Sequence, residues 1–287
     1  MKTYTTQKRT RPKGRFRRRF GTSKPRKPFP REAVPNFFTL MNLFSGFLSI
    51  IHVLEGELEI AAWLIVIAGA FDALDGFMAR ITNSSTEFGI ELDSLCDLVS
   101  FGVAPAFLMY SYVLHEFSTL GMLLVAIPVL CGAVRLSRFN VETKEEESPY
   151  FKGLPIPAQA IMMAAFFLTF HESPELFDIF EYGVISVVVP AMLLFSVLMI
   201  STVPFDKVPR FSRSYIRKHR ATVLLFLLYF ALIILMQEYG LMIAFSIFIL
   251  KGLTTSAIRF YKAMFDDDEP DDDDDDRVVT LDDFSSR

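Results

Sequence analysis

Cysteine is scarce in this chain of 287 residues, which holds only Cys96 and Cys131. Both lie in apolar segments, without metal-ligand spacing and without a histidine beside them. They read as ordinary buried thiols, which sets aside a thiolate metal centre and carries no redox information. Histidine is nearly as sparse. His52, His115, His171 and His219 are scattered and none lies near the aspartates discussed below, so they are assigned no chemistry. Strand-like alternation of useful length is missing, as is any internal repeat, and neither a β architecture nor a solenoid is expected. No signal peptide is expected either, because the first apolar run begins near Val34 and leads into a full span.

What the chain does have is apolar residues. They make up 52% of it, thirty are phenylalanine, and the mean hydropathy is +0.36, well above an ordinary soluble domain. That combination points to an all-α, multi-span membrane protein. Stretches near the roughly 20 residues a spanning helix needs fall at 35–54, 58–80, 92–114, 118–139, 156–171, 181–202, 221–236 and 240–262. About eight transmembrane helices are therefore expected, within a membrane domain over 34–262.

Charge collects outside that domain. Residues 2–31 carry thirteen Lys or Arg and no acid, and residues 266–276 are almost entirely Asp. A basic segment (1–33) and an acidic tail (263–287), both solvated, are the natural reading of such runs. The basic one is suited to anionic lipid head groups, and no nucleic-acid partner is expected. The connections "LEGELE", "LHEFS", "HESPELFDIFEY" and "MQEYG" contain neither Lys nor Arg, whereas the connections on the other side hold Arg80, Arg135, Arg138 and "KVPRFSRSYIRKHR". Positive charge marks the cytoplasmic side. An even number of spans then puts both termini in the cytoplasm, with the loop between the second and third helices.

That loop is flanked by the chemistry. In "FDALDGFMARITNSSTEFGIELDSLCD" (71–97), Asp72 and Asp75 lie three apart at the cytoplasmic end of the second helix, and Gly89, Asp93 and Asp97 step by four along the third. Such spacings give one stripe on each helix, and an antiparallel pair can bring the stripes together. Four converging carboxylates repel one another and resist burial unless a cation neutralises them. An all-oxygen set favours Mg²⁺, Mn²⁺ or Ca²⁺ over zinc. Gly76, Ala79 and Gly89 leave room for a ligand beside the backbone, and Arg80 offers a guanidinium to phosphate oxygens. Paired cations with an arginine suit a diphosphate.

Asp72-x-x-Asp75-Gly76-x-x-Ala79-Arg80, eight residues, Gly89-x-x-x-Asp93-x-x-x-Asp97 resembles the CDP-alcohol phosphatidyltransferases and matches their complete signature. The resemblance covers about six helices of a common transmembrane core and leaves out both tails. It implies a membrane enzyme that displaces CMP from a CDP-linked lipid with two divalent cations, Mg²⁺ or Mn²⁺. On that pattern Asp72 and Asp93 are ligands of both cations, Asp75 of the first, and Asp97 a ligand of the second and the general base. Gly76, Arg80 and Thr86 occupy CDP-binding positions, Ala79 and Gly89 line the same site, and a homodimer is implied.

Asn36, Thr39 and Asn42 sit near one face at the start of the first helix, on the same side of the membrane as the aspartates, where they can bind cytidine or simply cap and pack the helix. The stretches "PNFFTLMNLFSGFLSI", "RLSRFNV" and "FKGLPIPAQA" are similar to segments of the phosphatidylserine synthase branch of the family, the CDP-diacylglycerol–serine transferases. Serine is accordingly the preferred acceptor, with CDP-diacylglycerol or an archaeal ether equivalent as donor. Arg135 and Arg138 can receive a carboxylate or a phosphate, or anchor a helix end at the interface. Glycerol 3-phosphate, inositol and inositol phosphate remain alternative acceptors. A cation-coupled transporter is the alternative from another class, because intramembrane carboxylates also mark ion pathways.

Overall fold

The computed structural model describes residues 33–82, 84, 86–142, 150–206 and 220–265. The basic N-terminal segment, the stretch 207–219 and the acidic tail lie outside the described residues.

Helix α1 (Ala33–Glu55) opens with Pro35, whose missing N–H costs nothing in a first turn. It ends at Gly56, which adopts a left-handed φ of 83°. There Gly56 N–H donates to Val53 O and Glu57 N–H to His52 O at 2.8 Å, the paired bonds of a Schellman termination. The chain turns at once into α2 (Leu58–Thr82). The α1–α2 seam is lined by small residues, among them Ser45, Ser49, Ala61, Ala62 and Ala68, and Ser49 Oγ donates to Ala61 O at 2.8 Å. Small side chains let membrane helices approach closely where apolar burial alone gives no advantage over lipid. On the opposite side of α1, Phe37, Leu40, Phe44 and Phe47 are exposed, an apolar stripe fit to face acyl chains.

Thr86 caps α3 (Glu87–Asp97), its side chain accepting from Gly89 N–H at 3.1 Å. The helix starts five residues before the apolar run at 92, because the cap and not hydropathy sets its first turn. Beyond Asp97 it widens into a π-helical stretch, Leu98–Val103, and continues as α4 (Ala104–Met109) and a second π stretch, Tyr110–Leu114. Pro105 accounts for the first widening. In a regular helix its ring would meet the carbonyl four residues back. Ser118, with φ of 48°, reverses the chain into α5 (Ser118–Glu142).

Helix α6 (Ile156–Phe170) begins with Pro155 as cap and Pro157 in its first turn. Twelve of its 15 residues are buried, so it is the central helix and can be short because other helices surround it. Helix α7 (Ile185–Ile200) follows. A two-stranded antiparallel ribbon, β1 (Tyr150–Lys152) with β2 (Pro204–Asp206), ties the entry of α6 to the exit of α7. Gly153, at φ of 80°, completes the tie, its N–H donating to Val203 O at 2.8 Å. Helix α8 (Arg220–Phe265) is broken at Gln237, where φ is 47°, dividing it near the two expected spans at 221–236 and 240–262. Its second half packs Leu241 against Ile161 and Ala165 of α6.

Among the described residues four helical stretches are long and apolar enough to cross a membrane, Ala33–Glu55, Leu58–Thr82, Glu87–Val141 and Leu235–Ile258, and Ile156–Phe170 and Ile185–Ile200 are shorter apolar helices. The protein is an all-α membrane protein whose α1, α2, α3 and α5 surround the acidic cluster.

Candidate active site

Helix α2 supplies Asp72 and Asp75, and α3 supplies Asp93 and Asp97. Asp72, Asp75 and Asp93 each offer a carboxylate oxygen, and these oxygens lie within 4.8 Å of one another. Asp97, one turn farther along α3, is 7% exposed and close enough to Asp72 and Asp93 to feel both charges. The stripes expected from three- and four-residue spacing therefore do face each other.

The first helix forms the back wall. Asn42 is fully buried and its Nδ2 donates to Asp97 Oδ1 at 3.0 Å. Thr39 is also buried, with its single hydroxyl proton in reach of both the Asp75 carboxylate and the Pro35 carbonyl, 3.2 Å from the latter. Asn36 lies in the first turns of α1, its Oδ1 3.5 Å from where a Cβ on Gly89 would sit. Thr86 stands beside it as the α3 cap.

Gly76 opens onto space. A Cβ there would meet only the Arg80 guanidinium at 3.8 Å, and Arg80 Nε donates back to Gly76 O at 2.8 Å. Ala79, half-buried one turn from Asp75, lies on the same stretch of helix, and its carbonyl accepts from Ser84 N–H at 3.2 Å.

The two arginines of α5 part company. Arg135 is 7% exposed, senses the charges of Asp97 and Asp72, lies 5.9 Å from the Phe139 ring, and has a buried Nε without a hydrogen-bond partner. Arg138 instead donates to Ile200 O at 2.9 Å and Ser201 O at 3.2 Å, binding α5 to the C-terminal end of α7. Carbonyls at a helix C-terminus lack intrahelical donors, and a cation there satisfies them.

Two buried carboxylate oxygens, Asp75 Oδ2 and Asp93 Oδ1, have no hydrogen-bond partner. Leaving such groups dry and unpaired is costly. Three converging carboxylates with orphaned oxygens fit a hard divalent cation. His52, Glu55 and Glu57, at the far end of α1, also cluster, but His52 Nδ1 is paired to Glu57 Oε2 at 2.7 Å and to Glu55 Oε2 at 3.5 Å.

Polar residues not foreseen from the sequence are also buried or paired in the helices, and Ser100 and Asn140 among them touch elements of the site. Ser100, in the widened turn, donates from Oγ to the Asn42 carbonyl at 3.0 Å. Gln159 on α6 is 2% exposed with an unpartnered Oε1, and a lone amide inside "PIPAQAIMM" was the available signal. Asn140 of α5 exchanges hydrogen bonds with Ser94 of α3 at 3.0 and 3.3 Å, beside Asp93.

Residues 32–205 match the profile of the CDP-alcohol phosphatidyltransferase family. The chain belongs to that family. Every residue of the acidic cluster and both α5 arginines fall within the matched stretch. A CDP-diacylglycerol–serine O-phosphatidyltransferase of Helicobacter pylori is 31% identical over 237 residues, covering 83% of this chain and 96% of its own. An archaetidylserine synthase of Methanothermobacter thermautotrophicus is 41% identical over 178 residues, 61% of this chain and 70% of its own. A CDP-diacylglycerol–serine O-phosphatidyltransferase of Bacillus subtilis is 35% identical over 173 residues, 60% of this chain and 89% of its own.

Proposed function

We propose that the protein transfers the phosphatidyl group of CDP-diacylglycerol, or its archaeal ether counterpart, to the hydroxyl of L-serine, releasing CMP. The observation that carries this is the meeting of four aspartates from α2 and α3 opposite buried Arg135, in a chain whose bacterial and archaeal relatives bear serine-transferring names. Asp72, Asp75, Asp93 and Asp97 would hold two Mg²⁺ or Mn²⁺ ions, with Ca²⁺ as a third candidate occupant. When bound, such ions neutralise charge on the transferred phosphoryl group and on the departing CMP.

The chain's own residues account for the remaining demands. The serine oxygen forms a bond to phosphorus as the bond from phosphorus to CMP breaks, and the hydroxyl proton passes to the Asp97 carboxylate as general base. Gly76 leaves space beside α2 for the diphosphate of CDP, with Ala79, Arg80, Thr86, Gly89 and Asn36 around the cytoplasmic mouth. Arg135, whose Nε has no protein partner, offers a charge-assisted bond to the serine carboxylate. Serine, unlike inositol, brings a carboxylate that this guanidinium can receive, which favours serine over inositol.

The protein sits in the cell membrane as a homodimer, with both termini and the acidic cluster on the cytoplasmic side, as the Lys- and Arg-free outer connections favour. Residues 34–262 form the catalytic domain, and 1–33 and 263–287 are cytoplasmic appendages to it. CMP release by purified protein with CDP-diacylglycerol and Mn²⁺, compared across L-serine, inositol, inositol phosphate and glycerol 3-phosphate, tests the reading. Serine-dependent release supports it, and release with another acceptor alone overturns the choice of serine.

A further inference from the structure

The buried face of α1 carries polar side chains in steps of three and four, Thr39, Asn42, Ser45 and Ser49, with Gly46 among them. Three of them reach different parts of the acidic hairpin. Thr39 touches Asp75 of α2, Asn42 holds Asp97 of α3, and Ser49 bonds to the α2 backbone at Ala61. The contact at Asn42 is the most constrained. Its side-chain Nδ2 donates to Asp97 Oδ1 at 3.0 Å, its backbone carbonyl receives Ser100 Oγ at 3.0 Å from the same helix, three residues farther on, and its side-chain Oδ1 is buried without a partner. Gly46 lets that helix come close, since a Cβ there would lie 2.6 Å from Ser100 Cα.

Asn42 has no exposed surface, and its side-chain Nδ2 is committed to the Asp97 carboxylate. We infer that Asn42 is a positioning residue for Asp97: it fixes one carboxylate oxygen and so aims the other at the acceptor hydroxyl. The inference rests on the transferase reading, in which Asp97 takes the proton. The rationale is geometric. Two oxygens on a freely rotating carboxylate exchange places, whereas one donor bonded to Oδ1 sets the plane of the group. Displacing a catalytic group by about 1 Å can cost about 100-fold in rate. Ser100 reinforces the aim by locking the α3 backbone, directly past Asp97, to the residue that makes the bond.

The test compares Asn42→Ala and the isosteric Asn42→Asp with wild type in detergent. It measures kcat, KM for CDP-diacylglycerol, and the thermal shift that CDP-diacylglycerol with Mn²⁺ gives the protein. Positioning predicts kcat lowered about 100-fold in both variants, KM changed by less than about threefold, and the thermal shift retained. A raised KM with kcat preserved, or a lost thermal shift in a folded variant, would reassign Asn42 to nucleotide binding and overturn the inference. Unchanged kinetics would overturn it as well. Should Asn42→Ala fail to fold, Asn42→Asp retains the volume and decides the matter alone. Wild-type protein that releases no CMP with any acceptor defeats the transferase reading itself, and is thereby distinguished from a failure confined to the variants.

Discussion

Gly46 on α1 lies directly against Ser100 at the start of the widened turn of the third helix, with no room for a side chain between the two backbones. Gly46→Ala should therefore part the helices or strain them, costing about 1–3 kcal/mol. It should also slow turnover, because Asn42 and Asp97 lie one turn away on the same two helices. Thermal unfolding in detergent with parallel rate measurements checks this, and a variant as stable and active as wild type would show that the seam yields freely.

The α5 arginines should separate experimentally. Arg138→Ala removes two bonds to the α7 carbonyls and should lower stability by about 1–3 kcal/mol, with KM for serine little changed. Arg135→Ala should raise KM for serine tenfold or more, as expected for loss of a charge-assisted bond. Steady-state kinetics on both variants, together with melting curves, measure the contrast. Equal effects on serine KM would undo the division of labour.

Chelation with EDTA should abolish CMP release, and Mn²⁺ or Mg²⁺ should restore it. Asp93→Asn should weaken Mn²⁺ binding, read by electron paramagnetic resonance, and impair both CDP-lipid binding and turnover. Asp97→Asn should lose at least about 100-fold in kcat while still binding the CDP-lipid. Near-normal turnover by the Asp97 variant would remove that residue from proton transfer.

Deleting residues 266–287 should leave turnover within about twofold, because the acidic run lies outside both the family match and the helices that carry the cluster. A collapse of activity in well-folded protein would bring the tail into the site.

Much of the site was legible because its residues are close in sequence. Asp72 and Asp75, or Asp93 and Asp97, fall on one face by helical period alone, and "EGEL" announces the turn that joins α1 to α2. The spans were legible for the same reason, down to the break between the two halves of α8. Features made by distant parts of the chain were not. Arg138 reads as an interfacial cation until α7 arrives 62 residues later and presents its carbonyls. Ser100 is an unremarked hydroxyl until α1 supplies an acceptor 58 residues away. The ribbon of Tyr150–Lys152 and Pro204–Asp206 is too short to show a period, so "FKGLP" could be likened to a family segment without its packing being seen. Helix α6 reads as a short span because its burial on all sides removes the lipid-facing length that marks a membrane helix.

The most direct test of the account supplies L-serine labelled with ¹⁸O at its hydroxyl, with CDP-diacylglycerol and Mn²⁺, and locates the label by mass spectrometry. Attack by the serine oxygen on phosphorus predicts ¹⁸O in the bridging position of phosphatidylserine and none in CMP, with the signal lost in Asp97→Asn. Label in CMP, or CMP formed without a serine-containing lipid, would contradict it.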